Sequence, residues 1–377
     1  MNVPAGTIRR FFPGGNTAYG FYSFYDQILP PEEATRILVV KGGPGVGKST
    51  FMRAIAAEMA ARGFAVELMQ CSSDNDSLDG AVFPEIKVAL VDGTAPHVVD
   101  PRYPGCVDEI VNLGEYWDEQ KLAGAREAII STTRRVGEFF AQAYRFLRAA
   151  KEIRDGWAAM NSARLREARL NKCLAALIET LMGVRGIAER AGRARHLFAS
   201  ALTPDGPKEY LADVFASARS TVVLRGQPGT GKSRLLAGLL GAATARGFYA
   251  ECFHCGFDPF RLEHLFLPEL STGVLTANEH HGYEPEGAAV IETNAFLEPA
   301  PDHLRAMAAE AREVFAELIA RAVHYFGLAK EAHDAMESHY VAGMDFAGVE
   351  RLRAKTLERI LSYAERILSR GRAEESG

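Results

Sequence analysis

The residues best suited to chemistry form two short glycine-rich stretches, each ending in lysine and serine. The first is Gly42-Gly43-Pro44-Gly45-Val46-Gly47-Lys48-Ser49-Thr50, and the second is Gly226-Gln227-Pro228-Gly229-Thr230-Gly231-Lys232-Ser233-Arg234. Both meet the spacing G-x-x-x-x-G-K-[ST], in which loop amides cradle phosphates and the lysine reaches the outer ones. Glycine lets those N–H groups close around an anion without Cβ clashes, and the first N–H groups of a following helix have no partner inside it. Lys48 and Lys232 are therefore candidates to contact the phosphates of a nucleotide, ATP first and GTP as the alternative. Ser49 and Ser233 are candidates to ligate Mg²⁺.

The flanks supply what must hold such loops. Arg36-Ile37-Leu38-Val39-Val40-Lys41 and Ser220-Thr221-Val222-Val223-Leu224-Arg225 read as buried strands, and helix formers follow each loop. After the first helix, Phe64 to Cys71 reads as a second strand and Ser72 to Gly80 as a polar loop. Ile86-Lys87-Val88-Ala89-Leu90-Val91-Asp92 then reads as an apolar strand ending in a carboxylate. There Asp92 would hold Mg²⁺ through water, beside Ser49. The next residue is Gly93, so a water-activating base must be sought elsewhere. Asp74, Asp76, His97 and Asp100 are the candidates, with Asp74 and His97 first because both recur in the second half. Turn formation explains aspartates in such loops equally cheaply.

That second half is a copy. Sliding the chain by 184 residues aligns Gly42–Pro101 with Gly226–Pro285 without a gap, at 18 identities in 60 positions. A match at one fixed offset is the mark of duplication. The copies depart at one informative place: Thr276 stands where Asp92 should recur. The expectation is a hydrolytic first site and a degenerate or regulatory second one. The repeats run 1–194 (core about 9–118, helical segment about 119–194) and 195–377 (core about 195–298, helical segment about 299–372). The predicted fold is α/β: two tandem domains, each a parallel sheet flanked by helices with a long helical hairpin appended, able to pair as an intramolecular pseudo-dimer.

The Ala-, Leu- and Arg-rich segments Glu119–Asp155, Asn161–Arg195, Pro301–Tyr340 and Phe346–Arg372 have helical periodicity, and Pro301 suits a helix start. They are the expected surface for a protein partner. Arg134, Arg135, Arg145, Arg148, Arg193 and Arg195 lie there, any of which could neutralise a terminal phosphate. The aromatic segment Phe11 to Tyr25 would either stack on a base or seal the core. Cys252-Phe253-His254-Cys255 with His280-His281 invites zinc, but Cys71 aligns with Cys255 and has no cysteine three residues before it.

Composition narrows the class. With 47% hydrophobic and 24% charged residues and a net charge of −5, the chain reads as soluble and not as a general nucleic-acid binder. No apolar run is long enough for a membrane span, no signal peptide is evident, and five irregularly spaced cysteines suit a reducing cytoplasm.

The loops G-x-P-G-x-G-K-S resemble those of AAA+ proteins and small-molecule kinases within the P-loop NTPases. Together with Thr17 to Phe21, Cys71 to Asp74 and Asp92-Gly93-Thr94-Ala95-Pro96-His97, the duplicated pattern resembles a bacterial family of tandem P-loop ATPases, some labelled nucleotide kinases. The resemblance covers most of the chain and implies ATP binding. Three activities fit it: a Mg²⁺-dependent ATPase moving its helical hairpins, a kinase passing the γ-phosphoryl to a nucleotide or metabolite, and a nucleotide-sensing scaffold without turnover.

Overall fold

The computed structural model describes residues 6–95, 98–278 and 282–375. By contact density the chain divides into two compact units. The first is Met1–Pro13, Ser23–Phe140 and Gly327–Gly377; the second is Gly14–Tyr22 and Ala141–Phe326. These units do not follow the sequence repeats. Each combines the core of one repeat with helical residues contributed by the other.

The first unit is built on six strands: β1 (Ile8–Phe11), β2 (Arg36–Lys41), β3 (Val66–Gln70), β4 (Leu78–Phe83), β5 (Val88–Asp92) and β6 (Asp108–Asn112), in the order β1-β3-β4-β5-β2-β6. β2, rich in β-branched residues and buried along its middle, lies between two parallel neighbours, with Val40 opposite Asp92 on one side and Val111 on the other. The expected all-parallel sheet is corrected here to a mixed one. β4 runs antiparallel to both β3 and β5, with Gly80 opposite Met69 and Val91. The reason is chain length: a parallel return needs a crossover of a dozen or more residues, whereas Cys71–Ser77 and Pro84–Lys87 are short turns. Leu78–Gly80, read from sequence as the end of a polar loop, accordingly begins a strand whose six residues are all buried.

Helix α1 (Lys48–Ala61) follows β2 and buries Phe51, Met52, Ile55, Ala56 and Met59, the one-sided pattern of a helix on a sheet. Two helices then leave the sheet region: α2 (Arg126–Ser162) and α3 (Glu167–Met182).

The second unit repeats the plan with β7 (Ala194–Phe198), β8 (Ser220–Arg225), β9 (Ala250–His254), β10 (Leu262–Leu267), β11 (Thr272–Ala277) and β12 (Ala289–Glu292). Their order, β7-β9-β10-β11-β8-β12, is that of the first sheet with every number raised by six. Helix α4 (Lys232–Ala245) corresponds to α1, and α5 (Asp302–Val341) and α6 (Phe346–Glu375) close the chain. α5 begins at Asp302, one residue after the Pro301 expected to open it.

What covers the two loop-bearing helices exposes the exchange. In the first unit, Val349, Ile360 and Ala364 of α6 share a core with Ile55 and Met59 of α1. In the second, Leu170, Leu177 and Met182 of α3 share one with Leu235, Leu236 and Leu239 of α4. Burying each of the larger of these side chains contributes about 1.5–3 kcal/mol, so neither loop-bearing helix is held by its own repeat alone. Among the described residues no helix is long and apolar enough to cross a membrane.

Candidate functional site

In both units the glycine-rich loop joins the carboxyl end of a central strand to a helix N-terminus. Gly47 (φ 89°) and Gly231 (φ 94°) stand in the left-handed region immediately before the lysine, a conformation that costs an L-residue with a Cβ about 1–2 kcal/mol. Val46 and Thr230 are buried beneath the loops, while Thr50 and Arg234 are exposed on the helices beyond them. Arg234 forms a paired ion bridge with Glu167 of α3, both contacts 2.7 Å.

In the first unit, Lys48 Nζ donates to the carbonyls of Gly42 (3.2 Å) and Gly43 (2.8 Å) and lies 3.8 Å from Asp92 Oδ2. Asp92 ends β5, and its other oxygen accepts from the Thr94 amide at 2.8 Å. Ser49 Oγ accepts from the Leu78 amide at 3.0 Å. Lysine, serine and strand-end aspartate thus surround one loop. Asp79 is a fourth member that sequence reading passed over. Asp79 precedes Gly80, which pairs with Val91, the residue before Asp92, and it is the extra residue of a β-bulge, since Met69 pairs with Gly80 and Gln70 with Leu78. Burial, with the Asp79 carboxylate next, pushes the Tyr25 hydroxyl and the Cys71 thiol well up.

The candidate bases are placed as follows. Asp74 accepts from Ser77 Oγ at 2.6 Å and lies 3.4 Å from Lys330 Nζ of α5. Asp76 turns its carbonyl to Arg53, and Asp100 pairs with Lys41 at 2.8 Å in solvent. His97 lies outside the described residues. A carboxylate from α5 enters the loop itself: the Gly45 amide donates to Glu337 Oε1 at 3.0 Å, and the Tyr340 ring lies against Gly43. Glu337 belongs, with His333 and Asp334, to the one group of three metal-capable side chains among the described residues, and Lys330 bonds Asp334 at 2.8 Å.

The second loop faces a cleft of about 630 Å³, lined by Gly226–Arg234 together with residues of α2, β10 and β11. That volume is within the usual range for a small-molecule site. Lys232 Nζ donates to the Gly226 carbonyl and, at 2.8 Å, to that of Gln227. Burial, and next the Arg154 guanidinium, push its ammonium down to about 8. Here the end of α2 does what α5 does in the first unit: Asn161 Nδ2 donates to the Pro228 carbonyl at 2.8 Å, and a Cβ on Gly229 would meet the Ala158 carbonyl oxygen at 2.1 Å. The repeated motifs Cys-x-x-Asp and Lys-x-x-x-Asp also meet. Lys151 bonds Asp155 and lies 3.5 Å from Asp258, as Lys330 does with Asp334 and Asp74.

Thr276 holds the place of Asp92, so no carboxylate ends β11. Thr276 is 3% exposed and lines the cleft, as Arg154 and Trp157 do, and Thr276 Oγ1, Arg154 Nη1 and Trp157 Nε1 have no hydrogen-bond partner among the described residues. A buried polar atom left unpaired costs about 1–3 kcal/mol. Three lie at one cleft, two of them donors one helical turn apart on α2, and an ordered water or a polar ligand would satisfy them.

No family model, curated protein or solved structure matches this chain. Its site is read from its own residues.

Several sequence expectations find no support at this site. Of the six arginines expected to approach a phosphate, Arg134, Arg135, Arg145, Arg148 and Arg193 are exposed and Arg195 is buried in β7, while the arginines lining the cleft are Arg154, Arg225, Arg234 and Arg261. Phe11 and Phe12 are core residues. Burial pushes the Cys252 and Cys255 thiols up to about 12 and about 11, and both ring nitrogens of His254 are engaged, by His196 (2.8 Å) and the Pro259 carbonyl (2.6 Å). His280 and His281 lie outside the described residues.

Proposed function

We propose that this chain is a Mg²⁺-dependent P-loop ATPase, with hydrolysis at the first loop and nucleotide held at the second. The observation that carries this reading is the company of the first loop: Lys48 folded into it, Asp92 3.8 Å from that ammonium, and Ser49 one residue on. The donor set suits the metal. A serine hydroxyl and an aspartate are hard oxygen ligands, and Mg²⁺ is usually bound by one or two carboxylates, waters and phosphates. When bound, Mg²⁺ would neutralise charge on the phosphates. The chain's own residues bind and orient: the loop amides hold the phosphates, and Lys48 meets the outermost ones.

Phosphate release by the purified chain tests this. Steady release from ATP, faster than from GTP and independent of any acceptor, is expected. ADP formed without free phosphate, and only when a nucleoside monophosphate is added, would make the chain a kinase. Tight binding with no turnover would make it a sensor.

Glu337 supports a second expectation. Its carboxylate takes an amide that a phosphate would otherwise use, and two anions compete for that donor. Glu337→Gln keeps the acceptor and removes the charge. In a Lys232→Ala background, ATP should therefore bind the first unit about three- to tenfold more tightly, the effect of one like charge in a half-exposed site. An unchanged dissociation constant would show that the carboxylate yields at no cost.

A further inference from the structure

The second unit lacks a strand-end aspartate, and its fold supplies another carboxylate. Glu263 precedes His264, which pairs with Leu275, the residue before Thr276; like Asp79 in the first sheet, it is the extra residue of a β-bulge, since Phe253 pairs with His264 and His254 with Leu262. An acid recurs here in both copies, and the second has the longer one. Glu263 is 6% exposed, lines the cleft with Lys232, Ser233 and Thr276, and accepts from Asn278 Nδ2 at 3.2 Å. Its charge acts on Lys232, raising the ammonium's affinity for its proton against the larger effects of burial and Arg154.

We infer that the second cleft is a complete site for a nucleoside triphosphate with a divalent cation. The cation is carried by the Glu263 carboxylate with the Thr276 and Ser233 hydroxyls, in place of one strand-end aspartate. Arg154 and Trp157 donate from α2 to phosphate oxygens. The donor set fits the ion, because all three cation-facing groups offer oxygen and only one is charged, leaving room for water and phosphate ligands. It also answers the unpaired atoms: Thr276 Oγ1 gains a cation, and Arg154 Nη1 and Trp157 Nε1 gain anionic acceptors. The first unit's counterparts are His333 and Met336 (α2 and α5 align at an offset of 179), so the cationic approach belongs to the second site.

This inference rests on the reading of the loops as nucleotide sites, and the experiment separates the two. The full chain carrying Lys48→Ala is titrated with ATP, once with Mg²⁺ and once with EDTA, and the ratio of the two dissociation constants is the readout. Mg²⁺ should tighten binding about tenfold or more. Glu263→Gln should reduce that ratio to under about twofold while metal-free ATP binding is kept or tightened, because a negative charge beside the phosphates is removed; that binding also reports a folded site. Adding Thr276→Asp to Glu263→Gln should restore the ratio. Arg154→Gln should weaken metal-free ATP binding about tenfold. A ratio unchanged by Glu263→Gln, or not restored by Thr276→Asp, overturns the inference. Should Glu263→Gln unfold the chain, Thr276→Asp alone decides, since it must raise the ratio. If the Lys232→Ala chain binds one ATP and the Lys48→Ala chain none, the inference falls while the first site stands. If the unsubstituted chain binds no ATP, the nucleotide reading itself fails.

Discussion

Lys48→Ala is expected to lower steady-state ATP hydrolysis about a hundred- to a thousandfold, whereas Lys232→Ala leaves most of it. Lys48 Nζ sits 2.8 Å from the Gly43 carbonyl and 3.8 Å from Asp92 Oδ2, between the loop and the residue proposed to hold the metal. Losing one pre-positioned donor to developing charge typically costs that factor. The second lysine is as well placed in its loop, but the metal support proposed for it differs, coming from Glu263 and Thr276. It is therefore expected to bind nucleotide and turn it over slowly. ATP stoichiometry should fall from two to one in either variant, while phosphate release collapses only in the first. Equal losses of turnover would end the division of labour.

The loops, the duplication and the strand before each loop were legible because each rests on local spacing: three shared glycine positions, one offset, one β-branched run. The antiparallel strands were less so. Leu78-Asp79-Gly80 carries two residues that strands disfavour, and only its burial between β3 and β5 makes it one. The turn lengths around it held the clue, since seven and four residues cannot build a parallel crossover. With that strand missed, Asp79 and Glu263 were missed as well, although the aligned acids were visible in the repeat.

The exchange of helical segments was not legible at all. Periodicity tells that Leu170 and Leu177 face something apolar, or that Val349 and Ile360 do, but it cannot say which core. Duplication makes the problem worse, because both cores offer the same surface. Arg154 was hidden for the same reason: it is one arginine among many on amphipathic helices until α2 is seen to end against the Gly229 turn. Yet Lys151 and Asp155, on either side of it, recur as Lys330 and Asp334 in the second repeat.

ATP affinity at the second site should fall about tenfold between pH 7 and pH 9 and about tenfold more by pH 10. The Lys232 ammonium is pushed down from 10.5 to about 8, by burial first and by Arg154 next, with Arg261 acting in the same direction and Glu263 and Cys255 opposing. Above pH 8 each unit of pH costs a further factor of ten in the charged form that a polyphosphate needs. Binding restores that proton, so near pH 9 about one proton is taken up per ATP. Calorimetry of the Lys48→Ala chain in two buffers of different ionisation enthalpy reads this directly, and Lys232→Ala in place of Lys48→Ala removes the second site's share. The ligand-free chain responds with opposite sign. Between about pH 8 and 10.5 the unfolded state holds more protons at this lysine than the folded one, so the second unit's own stability rises with pH in that window. A site that weakens for ATP while its fold strengthens identifies the buried lysine as the cause. Affinity and stability declining together would point to general loss of structure, and the role given to Lys232 would be wrong.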